Sequence, residues 1–276
     1  MRRARLALIA IGVATLVPSR AGADASTPTP VPLVAPAPSS IPTSALGEAI
    51  RFGQRIVTDT QATSVKAYVG NGLTCANCHL DAGRQAYAAP LVGLTGLFPE
   101  YESRSASVVS LDERMNQCFE RSMNGRKLPS SSPEMVALLA YTTWLSQGVP
   151  TGTAVVGRGF QDVKAPASPD PARGKTLYAQ KCVACHGADG QGTPGADGAF
   201  AFPPLWGPKS FNDGAGMART SVAAAFVQTK MPLGNAGSLS DQDAYDIAAY
   251  FTSQPRPKFV AKTRDWPKGE RPADAR

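Results

Sequence analysis

Four of the five cysteines fall into two copies of one pattern, Cys75-Ala76-Asn77-Cys78-His79 and Cys182-Val183-Ala184-Cys185-His186. Two thiols two residues apart, followed at once by a histidine, suit one piece of chemistry. The thiols add to the two vinyl groups of a haem, and the imidazole binds the iron from one face. A redox Cys-x-x-Cys pair, a zinc site or structural disulfides could each account for a single copy. Two copies, each ending in His, favour two covalently attached c-type haems. His79 and His186 are the only two histidines in the chain, so neither iron can have a second imidazole. A distal ligand must then be Met, Cys, Lys or something weaker.

In the second unit Lys230-Met231-Pro232 follows the haem motif and precedes the last helical pattern, where a loop ligand is needed. Met231 is the first choice, since a thioether favours reduced iron and raises the potential; Met217 and a deprotonated Lys230 compete with it. The first unit offers Cys118, Met115, Met123 and Met135. Cys118 is the unpaired fifth cysteine, and Arg114, Cys118 and Ser122, spaced i, i+4, i+8, share one face of a helix. A thiolate beside arginine has a lowered pKa and can act as ligand or nucleophile. The guanidinium and the Ser122 hydroxyl could hold an oxyanion. A buried free cysteine near surface arginines is the plain alternative.

These residues need elements to hold them. The haem motifs lie 107 residues apart, a domain-sized repeat. Before the first, a helix runs from Ser44 to about Val57 with Leu46, Ile50 and Gly53 on one face; before the second, Asp170 caps a helix started by Pro171 and continued by Gly174 and Tyr178. A glycine in each leading helix permits close crossing by another helix. The closing helices start at Ser132-Pro133, with Met135, Leu138, Leu139, Thr142 and Leu145, and at Ser240-Asp241, with Ala244, Ile247, Ala248 and Phe251. The expected fold is all-α: two tandem class I cytochrome c-like domains, each wrapping one haem, at 44–150 and 170–257. A linker at 151–169 and a tail at 258–276 complete them.

The N-terminal end reads as an address. Arg2, Arg3 and Arg5 precede an apolar run and Ala21-Gly22-Ala23, a signal peptide over 1–23 whose run is too short to span a bilayer. Residues 24–43, rich in Pro and Ala, read as a flexible leader. The formal charge of +7 falls to +3 when Arg2, Arg3, Arg5 and Arg20 leave, and four haem propionates would offset that. Neither a nucleic-acid partner nor a membrane anchor in the mature chain is expected.

At Asn116-Gln117-Cys118-Phe119-Glu120-Arg121-Ser122-Met123-Asn124-Gly125 and at Lys230-Met231-Pro232 the sequence resembles the thiosulfate dehydrogenases, dihaem cytochromes of the periplasm. The resemblance runs from about Ala45 to Pro257. It implies that His79 and Cys118 hold the iron of a catalytic haem. It also implies that His186 with Met231, or Lys230 exchanging with it, holds the iron of an electron-transfer haem, and that Arg104, Arg114 and Ser122 bind substrate. The implied reaction joins two thiosulfates into tetrathionate, with Cys118 leaving the iron to bond a sulfane sulfur. The two electrons pass to a cytochrome-type acceptor. Tetrathionate reduction is the reverse direction. A non-catalytic dihaem carrier, with Met115 or Met123 as first distal ligand, and a cysteine-ligated subunit of a sulfur-oxidising complex stay open as alternatives. A dihaem peroxidase fits poorly with only two histidines.

Overall fold

The structure, a computed structural model, describes residues 28–166, 168–196 and 199–276. The expected signal peptide lies outside these residues. Eight helical segments carry the fold: α1 (Ala45–Thr58), a single turn α2 (Leu80–Gly83), α3 (Leu111–Arg121), α4 (Pro133–Leu145), α5 (Pro171–Lys181), a short α6 (Val183–His186), α7 (Thr220–Lys230) and α8 (Asp241–Ser253). Two small antiparallel hairpins are added to the helical plan. Glu100–Glu102 (β1) pairs with Ser107–Val109 (β2), and Thr193–Pro194 (β3) pairs with Phe200–Phe202 (β4).

Local chemistry fixes the helix starts. The Ser44 hydroxyl accepts from the Gly47 N–H at 3.4 Å, Ser132 from Met135 at 3.2 Å, and Ser240 from Asp243 at 3.1 Å. The Asp170 carboxylate accepts from both Ala172 and Arg173. Each satisfies donors that a helix N-terminus leaves without intrahelical partners. In both units the leading helix crosses the closing helix at a glycine. A Cβ on Gly53 would stand 2.0 Å from the Ala137 carbonyl oxygen, and one on Gly174 would stand 1.9 Å from that of Asp246.

Two apolar cores result. The first gathers Ile50, Ile56, Phe119, Leu138, Tyr141 and Trp144; the second gathers Tyr178, Trp206, Phe211, Tyr245, Ile247 and Phe251. They are not independent, because Leu73 and Met123 of the first unit are buried in the second core. Polar bonds tie the same seam. The Asn71 side chain donates to the carbonyls of Ser122 (2.8 Å) and Ser210 (3.1 Å), and that of Asn212 donates to the Glu120 carbonyl (2.8 Å).

The connecting segments are more closely packed than their composition suggests. Within the leader, Val31, Leu33, Ala35 and Ile41 pack on the first core, and Trp144 donates to the Ser40 hydroxyl at 3.2 Å. Val31 forms a parallel bridge with Val155, a buried residue of the linker. The tail folds back over both units. Asp265 makes a two-pronged pair with Arg121 at 2.7 and 2.8 Å, the Trp266 N–H donates to the Arg104 carbonyl at 2.7 Å, and Asp274 accepts from the Ser221 N–H. Low-complexity composition predicts weak intrinsic order, and long-range packing overrides it here.

Candidate functional site

The first haem motif opens on a tight turn in which Asn77 and Thr74 form a reciprocal capping box. Fully buried Thr60 bonds both to the Cys75 N–H and to its sulfur, fixing the first thiol. After His79 the backbone passes through left-handed Asp81 and Ala82, φ 51° and 53°, a turn steadied by the Tyr141 hydroxyl donating to the Ala82 carbonyl. The chain then returns so that the Ala89 carbonyl lies 2.5 Å from His79 Nδ1. In the second motif the Pro203 carbonyl lies 2.9 Å from His186 Nδ1. Tying Nδ1 to a carbonyl fixes the ring and leaves Nε2 to face a metal.

Each histidine faces a cavity. The first, about 250 Å³, is lined by Cys75, His79, Met115 and Cys118 with an apolar wall that includes Leu91, Leu111, Phe119 and Leu138. The second, about 220 Å³, is lined by Cys182, Cys185, His186, Met217 and Met231 with Phe202, Phe211, Phe226 and Phe251. Attachment thiols, Cys75 in the first and Cys182 with Cys185 in the second, a fixed imidazole, a sulfur ligand candidate and apolar walls fit a covalently attached haem in both. Ala76, Asn77 and Leu80 of the first attachment loop also line the second cavity, so the two sites share a wall.

Cys118 is set apart electrostatically. Burial pushes Cys75 and Cys182 up to about 11 and Cys78 up to about 12, holding these thiols neutral. Burial acts on Cys118 in the same sense. The charge of Arg114 opposes it, joined by the hydrogen bond and charge of His79 and by the Arg114 hydrogen bond, and together they bring Cys118 down to about 6. Arg114 Nη1 lies 3.3 Å from the sulfur. The thiolate in turn raises Arg114. His79 and Cys118 line the same cavity.

The other expected residues divide. Met115 lines the first cavity beside Cys118, whereas Met123 is buried in the second core and Met135 in the first, on the α4 side. Arg114 lines the cavity, but Arg104 and Ser122 do not. The Arg104 guanidinium donates to the Gly214 carbonyl at 2.9 Å and stacks over Trp266 at 4.9 Å. Ser122, at the end of α3, accepts through its carbonyl at the seam between domains. Met231 and Met217 both line the second cavity, while the Lys230 amine donates to the Ala86 carbonyl of the first unit at 2.8 Å. Burial lowers the Lys230 pKa.

One residue that sequence reasoning passed over also lines the first cavity. Arg158, in the linker, borders it together with a polar vestibule formed by Glu100, Tyr101, Glu102 and Ser103. No motif marks it.

Comparison with known proteins agrees with this geometry. Residues 171–255 match the cytochrome c family, and residues 65–151 match the family described as SoxA/TsdA, cytochrome c domain. The thiosulfate dehydrogenase of Allochromatium vinosum is 47% identical over 88% of this chain and 91% of its own. That of Psychrobacter arcticus is 46% identical over 87% of this chain and 73% of its own. The solved thiosulfate dehydrogenase TsdBA of Marichromatium purpuratum superposes with a TM-score of 0.79 at 40% identity, covering 82% of this chain and half of that one. Two cytochrome c domains, each holding a covalently bound haem, therefore make up the molecule, and no helix among the described residues is long and apolar enough to cross a membrane. The chain belongs to the thiosulfate dehydrogenase family.

Proposed function

We propose that this protein is a periplasmic enzyme that oxidises two thiosulfates to tetrathionate and passes the two electrons to a cytochrome-type acceptor. The sulfur–sulfur bond forms in the first cavity. The observation that carries the reading is Cys118, the one cysteine outside the attachment motifs, facing His79 and held as a thiolate by Arg114.

The chemical difficulty is electrostatic. Two dianions brought to about 5 Å in a medium of effective dielectric ~20 repel by about 13 kcal/mol. A reaction site must therefore supply positive charge and a way to handle the two anions one at a time. Cys118 serves the second need. Its sulfur bonds the sulfane sulfur of the first thiosulfate, with loss of two electrons, leaving a cysteine S-thiosulfonate. The sulfane sulfur of the second thiosulfate then attacks that of the first, tetrathionate departs, and Cys118 is restored as thiolate. Arg114 stabilises the thiolate before and after, and presents its remaining donors to sulfonate oxygens. Arg104 and Ser122, assigned to substrate by family likeness, are outside the cavity lining, and Arg104 is close enough to Arg114 to add to the positive field.

When bound, the two haems supply one unit of electron storage each, which matches the two electrons released. Were the haems bound, His79 and Cys118 would hold the first iron, and His186 with Met231, or with Lys230 in the other redox state, would hold the second. Each step is reversible, so the same residues serve tetrathionate reduction where the acceptor's potential favours it.

The test is to add thiosulfate to the fully oxidised, haem-loaded protein, follow the visible spectrum, and assay tetrathionate with an artificial acceptor. Haem reduction with stoichiometric tetrathionate is expected, and Cys118→Gly should abolish turnover with both haems attached. Haems that stay oxidised with no tetrathionate formed would refute the assignment.

A further inference from the structure

The first cavity opens on its polar vestibule past three shared residues, Phe98, Arg114 and Arg158. Two of the three are arginines. Arg114 is committed to Cys118 through Nη1. Arg158 is committed only at one end, where Nη2 donates to Glu100; its Nη1 and Nε make no hydrogen bond among the described residues.

The backbone explains why this side chain is at the mouth. Val155 is buried and bridged to Val31. The flanking Gly157 and Gly159 are left-handed, φ 82° and 73°, a conformation glycine adopts without strain. Their carbonyls accept from the Tyr87 and Ala89 N–H groups at 2.7 and 2.8 Å. Ala89 is also the residue whose carbonyl holds His79. Arg158 is thus fastened on both sides to the loop that fixes the proximal histidine. A linker built only to connect two domains has no need of such registration.

We propose that Arg158 is a substrate-binding residue of the first site, receiving the sulfonate of the second thiosulfate as it enters from the vestibule. Glu100 holds the guanidinium at the mouth by one nitrogen and leaves an edge of donors for an anion, the fork geometry that suits oxyanions. The division of labour is chemical. Arg114 serves the nucleophile and the first anion, and Arg158, its charge shared with Glu100, offers the second anion its remaining Nη1 and Nε donors. The proposal rests on the thiosulfate-coupling reading above.

The test uses full-length, haem-loaded protein. In a Cys118→Gly background, which has no thiolate to couple thiosulfate, titration calorimetry with sodium thiosulfate compares intact Arg158 with R158Q. Loss of a charge-assisted contact should weaken binding about tenfold to a hundredfold. In the active background R158Q should raise KM for thiosulfate by a similar factor with a smaller change in kcat, and R158K should recover part of the loss. Unchanged affinity and KM would overturn the proposal. So would a shifted potential of the first haem with thiosulfate affinity unchanged, which would reassign Arg158 to the haem's carboxylate side chains. If wild-type protein neither binds nor oxidises thiosulfate, the coupling reading falls, and this assignment falls with it.

Discussion

Substituting Gly174 by Ala should loosen the second domain from its helix crossing outward. The added Cβ would lie 1.9 Å from the Asp246 carbonyl oxygen and 3.0 Å from the Ile247 nitrogen, where ordinary contact begins at about 3.4 Å, so the shortfall is about 1.5 Å. Both obstacles are backbone, so no side-chain rotation relieves the overlap, and α5 and α8 must separate or bend. Overpacking of this kind costs about 1–3 kcal/mol, and a backbone clash belongs at the upper end. Alanine's better helix propensity returns about 1 kcal/mol. The net loss is then about 2 kcal/mol. For a unit the size of residues 171–255, each kcal/mol moves the melting point by about 4–8 °C, giving a drop of roughly 10 °C. Functional consequences follow from what α8 carries. Ile247 and Phe251 line the second cavity, and Asp246 accepts the Asp170 N–H at 2.7 Å, anchoring the start of α5. The assay is thermal unfolding of the haem-loaded protein by circular dichroism, with the second haem's potential measured alongside. Gly216→Ala is the control, because nothing lies within 4 Å of its Cβ. A G174A protein melting within about 2 °C of wild type would refute the reasoning, because the crossing would then tolerate a side chain.

Arg114→Gln removes the 3.3 Å contact to Cys118 and should lower kcat/KM for thiosulfate about tenfold to a hundredfold. Steady-state kinetics checks this, and an unchanged kcat/KM would remove Arg114 from the mechanism. Met231 and Met217 line the same cavity, so spectroelectrochemistry separates them: Met231→Ala should lower the second haem's potential and Met217→Ala should not. The reverse outcome would move the ligand to Met217. Acid should release the tail. Burial alone would raise the Asp213 carboxyl, yet its bonds to Lys262 and the Phe259 N–H and the charge of Lys262, with a further bond to Lys258, keep it below the usual range. Its stabilising contribution is therefore full above the unfolded value of about 3.9 and is lost as pH falls through the lower folded value. Limited proteolysis by an acid-active protease should show tail cleavage rising over that window in wild type, and cleavage already present at higher pH in Asp213→Asn. Identical profiles for the two proteins would disprove the link.

Much of the architecture was legible in the sequence because it depends on neighbours in the chain. The four helix starts, at Ser44, Ser132, Asp170 and Ser240, are local bonds between a side chain and a backbone two or three residues on. The crossing glycines and the haem motifs are likewise patterns a few residues long. The site was legible to the extent that one helix makes it. Helical spacing brings Arg114 to Cys118, but it does not tell how far along α3 the cavity extends. The cavity ends before Ser122, because α3 runs on into the seam with the second domain, where the Ser122 carbonyl is already engaged by Asn71. Arg104 could not be placed from sequence either, since its direction is set by Gly214 and Trp266, 110 and 162 residues further on.

The segments that sequence treats as connectors are where the two domains become one molecule. A Pro- and Ala-rich leader has little apolar area of its own to bury, so it reads as free. Here Val31, Leu33 and Ile41 find their partners on the first core and bring the linker's Val155 alongside. That placement presents Arg158 at the cavity mouth. At the other end, the tail's Asp265 neutralises Arg121, so the paired Arg121 adds little net charge and Arg104, stacked on Trp266, keeps its own. The first attachment loop meanwhile forms part of the second cavity's wall through Ala76, Asn77 and Leu80. Charge at the first site and proximity to the second are thus properties of the joined chain. A single cytochrome domain, folded correctly by its caps and glycines, would possess the thiolate without the surroundings that let it bring two anions together.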